Sequence, residues 1–192
     1  MSATVYIPII DNKTRRKENA DIALAVLGGI ICFGMSLSLS QLWVQSGGFL
    51  LTAFAASVNG SVWESAKAVC IPLLLWAGAE SFVLRVNYRR MTAAAALSLL
   101  SAGIFHICAS FVCFGVLGFA PVWLCRVLTA LSVALGQWVS VRVKRFPGRV
   151  EEYWFWYAAA LALLLYALLS FTVNPPHIGL FFDPAQNIYG MG

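Results

Sequence analysis

The sequence predicts an all-α protein, a polytopic membrane bundle of five transmembrane helices with a short re-entrant or interfacial helix on its outer side. Three observations predict this fold class. Hydrophobic residues make up 60% of the 192 residues and charged residues only 11%, with a mean hydropathy of +0.80. A soluble domain carries about 25% charged residues, so lipid is expected to cover most of this surface. The apolar residues also form five long runs, and the basic residues gather in short clusters between them.

Each of the five apolar runs has the length of a membrane span, since a helix needs about 20 residues to cross a ~30 Å hydrocarbon core. The spans are predicted at residues 20–44, 61–87, 91–117, 122–143 and 153–173. Between the first two spans, the apolar run 49–57 has only nine residues. It is too short to span and too apolar for a solvated loop, which indicates the re-entrant or interfacial helix.

The distribution of basic residues predicts the orientation. Eleven of the 13 lysines and arginines fall in three clusters, at residues 13–17, 85–90 and 142–149. Because cytoplasmic loops carry an excess of such residues, these clusters are placed inside. The predicted organisation is a cytoplasmic N-terminal arm at 1–19, a five-helix domain at 20–173, and an extracytoplasmic tail at 174–192 packed on the outer face. Basic residues that flank spans do not indicate nucleic-acid binding.

Charged side chains inside a span need a partner or a role, because they are costly in hydrocarbon. The segment from Ser61 to Glu64 matches a capping box, in which each side chain bonds the backbone amide of the other residue. Glu64 and Lys67 are three residues apart on one helix face and can form an ion pair. Arg126 lies near the outer end of the fourth span, where it snorkels to headgroups or pairs with Glu64 or an anionic ligand. A structural ion pair and an outward-opening polar site both remain open.

Other polar groups favour structural roles. Glu80 is expected to pair with Arg85 or to reach the cytoplasmic interface, and His106 is expected to be a hydrogen-bonded core residue. His106 and His177 are far apart, without cysteine or carboxylate at ligand spacing, so no metal site is predicted. The five cysteines form no C-x-x-C pair. The sequence identifies no cofactor, and no common catalytic motif is present.

Two segments carry a family resemblance. The first is Asn59-Gly60-Ser61-Val62-Trp63-Glu64-Ser65-Ala66-Lys67, followed by Pro72, and the second is Pro175-Pro176-His177-Ile178-Gly179-Leu180-Phe181-Phe182-Asp183-Pro184, followed by Tyr189-Gly190. Together they resemble a family of small bacterial integral membrane proteins, of the Firmicutes type, whose function is unknown. Its pattern is N-E-S-x-W-E-H-x-K with a P-P-x-x-x-L-F-x-D-P tail, so Gly60 and Ser65 replace a glutamate and a histidine. The resemblance implies a bacterial cytoplasmic membrane and no activity.

The predicted orientation places both segments on the outer side, where the short apolar run and the tail are expected to pack as a cap. Six residues are expected to converge beneath it as ligand-binding residues: Asn59, Trp63, Glu64, Lys67, Arg126 and Asp183. The leading hypothesis is binding or transport of a small molecule or lipid at this polar site, with membrane lipids as partners. One alternative is an intramembrane enzyme acting on lipid or isoprenoid headgroups, with Glu64 or Asp183 as general base. Another is a non-catalytic membrane scaffold or accessory subunit.

Overall fold

The computed structural model of the protein describes residues 12–84, 87–118, 121–145 and 149–191, without the side chains of residues 12–18 and 84. Within these residues, the helices in chain order are α1 Asn12–Gln45, α2 Leu50–Ala53, α3 Val62–Leu84, α4 Tyr88–Leu117, α5 Val122–Arg145 and α6 Trp154–Val173. A single 3-10 turn, Arg149–Glu151, precedes α6. Two short strands follow, β1 Phe182–Asp183 and β2 Ile188–Tyr189, and they pair antiparallel.

Five of these helices, α1, α3, α4, α5 and α6, are long and apolar enough to cross a membrane. The predicted fold class is therefore confirmed, and the four spans from α3 onward begin and end within a few residues of the predicted bounds. α1 begins at Asn12, earlier than the predicted span, because polar residues extend the helix ahead of its apolar part. Of the short apolar run 49–57, only the four residues of α2 are helical.

Local capping explains where α4 begins and ends. The side chain of Asn87 accepts a hydrogen bond from the Arg89 amide at 3.1 Å, which satisfies one of the free amides at the start of the helix. At the other end Gly118 adopts φ 70°, and its N–H donates to the Phe114 carbonyl at 2.8 Å. Glycine tolerates this left-handed conformation without a Cβ clash, so the chain turns there toward α5.

The core lies among α1, α3, α4 and α5, while α6 packs against α4. Its buried apolar side chains come from all five long helices: Cys32, Val69, Cys70, Leu73, Leu99, Ala102, Val133 and Leu168. Small residues bring the backbones close, as is usual for helices in lipid. The alanines 93–96 of α4 are buried, and Gly136 of α5 lies against Leu73 of α3 and Ala102 of α4.

The second and third basic clusters share one end of the bundle, named here the basic end. Arg90 Nη2 lies 2.6 Å from Glu151 Oε1, and Arg90 Nη1 donates to the Lys144 carbonyl at 3.4 Å. Arg145 Nε lies 3.8 Å from Asp21 Oδ2, which places the start of the apolar part of α1 at the same end. The tail, residues 174–191, lies at the opposite end, named the tail end.

Glu80 has a different partner from the one expected. Its Oε1 lies 2.5 Å from Lys144 Nζ on α5, and both side chains are buried. Arg85, the partner expected from the sequence, lies outside the described residues. The pair joins α3 to α5 near the basic end, which places two opposite charges where neither contacts lipid.

Candidate functional site

The start of α3 is bound to the tail by polar side chains that the sequence had singled out. Asp183 is 1% exposed, and its Oδ2 accepts from the Gly60 amide at 2.7 Å. Asn59 Nδ2 donates to the Gly190 carbonyl at 2.8 Å, while Asn59 Oδ1 accepts from the Ser61 amide at 2.9 Å. Asn59-Gly60-Ser61 matches the N-x-S pattern of a glycosylation acceptor. Asn59 is buried, however, and its side chain forms hydrogen bonds within a turn and to the tail.

Trp63 joins the same contact through both its backbone and its ring. Its N–H donates to the Leu180 carbonyl at 3.1 Å. Its ring lies 5.5 Å from that of Phe171 and 5.1 Å from that of Phe181, between centroids. Edge-to-face and tilted contacts of this kind stabilise a packed aromatic cluster. The tail is therefore held against the bundle by specific contacts, next to the start of α3 and the end of α6.

Glu64 and Lys67 form a buried ion pair beneath this contact. Lys67 Nζ lies 2.6 Å from Glu64 Oε2 and donates at 2.8 Å to both the Ala53 carbonyl and Thr172 Oγ1. The carboxylate also accepts from the Val58 amide at 3.0 Å and from Thr172 Oγ1 at 3.1 Å. All three ammonium protons thus have partners. The single proton of the Thr172 hydroxyl is shared between Glu64 Oε1 and the Leu168 carbonyl, which lies 2.9 Å away. The side chains of Lys67 and Glu64 are 0% and 2% exposed.

The capping box at the start of α3 is only half formed. The Glu64 amide donates to Ser61 Oγ at 3.3 Å, as predicted. The expected reciprocal bond from the Ser61 amide to the Glu64 carboxylate is absent within the described residues, because that amide donates to Asn59 Oδ1. The carboxylate turns inward instead, since burial beside Lys67 offers it an opposite charge.

Arg126 lies apart from these groups. It is exposed on α5, and its expected partner Glu64 is occupied by Lys67. In the part of the chain that the structure describes, no hydrogen bond or ion pair joins Arg126 to another residue. The structure therefore brings Asn59, Trp63 and Asp183 together, places Glu64 and Lys67 beneath them as an internal pair, and leaves Arg126 at the surface.

A cavity of about 610 Å³ lies between the first turn of α3, the facing sides of α4 and α5, and the tail. Its described lining residues are Gly60, Val62, Ser65, His106, Ser110, Phe111, Phe114, Gly115, Gly118, Cys125, Thr129, Gly179, Phe182, Asp183, Pro184, Ala185 and Gln186. Much of the wall is apolar, and its residues Phe111 and Gly115 are exposed. Of the six predicted site residues, only Asp183 is among the described lining residues.

His106 lies in the wall of this cavity and is 3% exposed. Its Nδ1 is 3.0 Å from Ser132 Oγ on α5, and its Nε2 is 3.1 Å from Ser65 Oγ on α3. The ring therefore bridges three helices, which confirms the expectation of a hydrogen-bonded core residue. Sequence reasoning missed its position beside a cavity, because neither Ser65 nor Ser132 is near His106 in the chain.

One sequence signal pointed toward this wall. Ser110 follows His106 by one helical turn on α4, so these two polar residues share a face of the span. Ser65 lies in the first turn of α3, within the motif segment. A polar stripe of this kind inside a span indicates either a helix contact or a cavity, and only the packing of α3 and α5 against α4 distinguishes the two.

Five apolar helices that are long enough to cross a bilayer define the class, an α-helical multi-pass membrane protein. Within that class, the chain belongs to DUF6512, a family of unknown function whose model matches residues 14–191. The match covers the spans and the tail, which agrees with the resemblance to a family without a known activity. No curated protein and no solved structure matches the chain.

Proposed function

We propose that this protein binds a lipid-like small molecule in the cavity between α3, α4, α5 and the tail. The observation that carries the proposal is the cavity itself, about 610 Å³ with a largely apolar wall and a few polar side chains. Ligand sites have this composition, because apolar surface provides affinity and a few polar groups orient the ligand. Exposed lining residues such as Phe111 and Gly115 support entry from the surrounding lipid.

The proposal gives the six predicted site residues different roles. Asn59, Trp63 and Asp183 hold the tail against the start of α3 and so position one wall of the cavity. Glu64 and Lys67 support that wall from below through their mutual pairing. Arg126 is exposed on α5 and is not among the described lining residues, so it is given no part in binding the ligand.

The proposal also includes an orientation for the site. The basic end carries side chains of two basic clusters, which favours the cytoplasmic side for that end and the outer side for the tail and the cavity. The ligand is then drawn from the outer leaflet of a bacterial cytoplasmic membrane. Cysteine labelling from either side of intact cells tests this orientation, with Arg142→Cys at the basic end and Ile178→Cys in the tail. Labelling of the tail variant from the cytoplasm contradicts it.

The experiment that tests the proposal fills the cavity without disturbing the fold. Gly115 lines the cavity, and a Cβ built there has no atom within 4 Å. Gly115→Phe is therefore expected to occupy the space that a ligand needs. Native mass spectrometry of the protein, purified from membranes in mild detergent, should show bound lipid for the parent chain and its loss in the variant.

Gly78→Phe is the matched control. Gly78 is also an exposed helical glycine with no atom within 4 Å of an added Cβ, and it is not among the residues that line the cavity. This control should retain the ligand, and after delipidation both variants should unfold at the temperature of the delipidated parent chain. Equal retention in Gly115→Phe and the parent, or a parent chain that carries no ligand, contradicts the proposal.

A further inference from the structure

His106 presents an acceptor nitrogen at the wall of the cavity. His106 is buried without a carboxylate partner among the described residues, and a buried unpaired cation is costly, so its ring is assigned as neutral with one N–H. Ser132 Oγ donates to the Leu128 carbonyl at 2.7 Å. Because that hydroxyl has a single proton, it accepts from Nδ1–H of the ring. The lone pair of the ring is then on Nε2, which faces Ser65.

Ser65 cannot satisfy both acceptors beside it. Its Oγ lies 2.8 Å from the Val62 carbonyl and 3.1 Å from His106 Nε2, yet a serine hydroxyl donates only one hydrogen bond. The Val62 carbonyl also accepts from a backbone amide within α3, so only Nε2 is left without a donor, and only while Ser65 donates to that carbonyl. Ser65 and His106 both line the cavity, so a ligand there can supply the missing donor.

Ser110 provides a second, independent observation. It is 2% exposed and lines the same cavity one turn after His106. Serine in a helix commonly donates to the carbonyl of an earlier turn, as Ser132 does. The hydroxyl of Ser110 has no hydrogen-bond partner within residues 12–84, 87–118, 121–145 and 149–191. The oxygen of this hydroxyl is accessible, and Ser110 lines the cavity, so a polar ligand group there can hydrogen-bond to it.

The charge of the wall restricts the ligand further. The described lining residues include no lysine or arginine, and Asp183 is their only carboxylate. Asp183 accepts from the Gly60 and Ala185 amides at 2.7 and 2.8 Å, so both of its oxygens are engaged. A phosphate or carboxylate in this cavity has no cation among these residues to pair with, and it would lie near the negative charge of Asp183. An uncharged ligand avoids both costs.

We propose that the ligand is an uncharged lipid with a free hydroxyl group, such as a fatty or isoprenoid alcohol or a diacylglycerol, and that Ser65, His106 and Ser110 bind that hydroxyl. The hydroxyl donates to the acceptor that Ser65 leaves free and accepts from Ser110. The apolar chain lies along Phe111 and Phe114 toward the lipid. This inference rests on the proposed function, since it names the ligand class of the same cavity.

The test compares three probes that share one chain: oleyl alcohol, its methyl ether and oleate at pH 8. Binding of each to the purified full-length protein is measured by native mass spectrometry and by competition with a fluorescent lipid. The ether cannot donate a hydrogen bond, so it should bind about ten-fold more weakly than the alcohol. Oleate should bind more weakly still, because it brings an unpaired charge.

Serine variants separate the hydroxyl site from the cavity as a whole. Ser65→Ala and Ser110→Ala should each reduce the preference for the alcohol over the ether, with little change for the ether itself. Ser101→Ala is the control. Ser101 is also a partly buried helical serine whose hydroxyl donates to a carbonyl three residues earlier, at 3.0 Å, but it is not among the lining residues. Its preference for the alcohol should equal that of the parent chain.

Two kinds of failure are distinguishable. Equal binding of alcohol and ether, tightest binding of oleate, or a preference that survives in both serine variants overturns the hydroxyl site. If these probes still lose binding in Gly115→Phe, the proposed function stands without it. If no probe binds the parent chain, or if Gly115→Phe binds all of them as the parent does, both inferences are overturned.

Discussion

Replacing Lys67 by methionine should destabilise the protein strongly, because the change leaves Glu64 as a buried carboxylate without its cation. Two donors would remain for the carboxylate: the Val58 amide at 3.0 Å, and the Thr172 hydroxyl at 3.1 Å, whose proton is shared with the Leu168 carbonyl. The Ala53 carbonyl, which accepts from Lys67 at 2.8 Å, would lose its partner. Breaking a buried pair costs about 3–5 kcal/mol.

The two remaining donors favour the lower half of that range, about 3–4 kcal/mol. The unfolding equilibrium constant then rises by roughly two hundred-fold to one thousand-fold. The double variant Glu64→Gln/Lys67→Met removes the stranded charge while keeping an acceptor for the Val58 amide. It should therefore recover at least half of the loss, as a double-mutant cycle for two contacting residues allows.

The assay is reversible unfolding by sodium dodecyl sulfate in mixed micelles, followed by the fluorescence of the seven tryptophans. Arg126→Met serves as a control for charge removal, since Arg126 is exposed and has no partner among the described residues. It should change stability by less than about 0.5 kcal/mol. A Lys67→Met variant within about 1 kcal/mol of the parent, or a double variant less stable than the single one, refutes the role of the pair as a structural element.

Two further predictions test the helix packing. Gly136→Ala should cost about 1–3 kcal/mol through overpacking, because the added Cβ would lie 2.8 Å from Leu73 Cδ1. Gly29→Ala is the control, since its Cβ meets no atom within 4 Å and should not destabilise the protein in the same unfolding assay. Equal effects of the two variants would contradict the close approach of α3 and α5. Cys113 follows His106 by seven residues on α4, and Cys125 precedes Ser132 by seven residues on α5. Because His106 contacts Ser132, the two cysteines are expected to face each other and to crosslink when membranes are treated with copper phenanthroline. The crosslink is read as protection of two thiols from a maleimide mass tag, and unprotected thiols would show a different register.

The spans could be read from the sequence because the rule that creates them is local. In lipid, every backbone amide and carbonyl must be satisfied within its own segment, so a run of about 20 apolar residues becomes a helix whatever surrounds it. The ends of α3 and α4 follow from equally local signals, such as the Ser61 hydroxyl and the left-handed Gly118. The Glu64–Lys67 pair also needed only helical spacing.

The tail and the cavity required the tertiary structure. Strands of two residues have no periodicity to detect, and the bond from Asp183 to the Gly60 amide joins residues 123 positions apart. The capping box shows the same limit. The Glu64 carboxylate contacts Lys67 and Thr172 instead of the Ser61 amide, and Thr172 is beside it only because α6 packs there.

Sequence alone determined which segments are long and apolar enough to cross a membrane, that Glu64 and Lys67 share a helix face on which they can pair, and which family pattern the chain carries. Tertiary structure decided that Glu80 pairs with Lys144, that His106 bridges Ser65 and Ser132, and that a cavity remains beside them. The physical reason is that these contacts depend on how far each helix is rotated about its axis and how deep it sits against its neighbours. The side chains of several helices set those two quantities jointly, and no single segment encodes them.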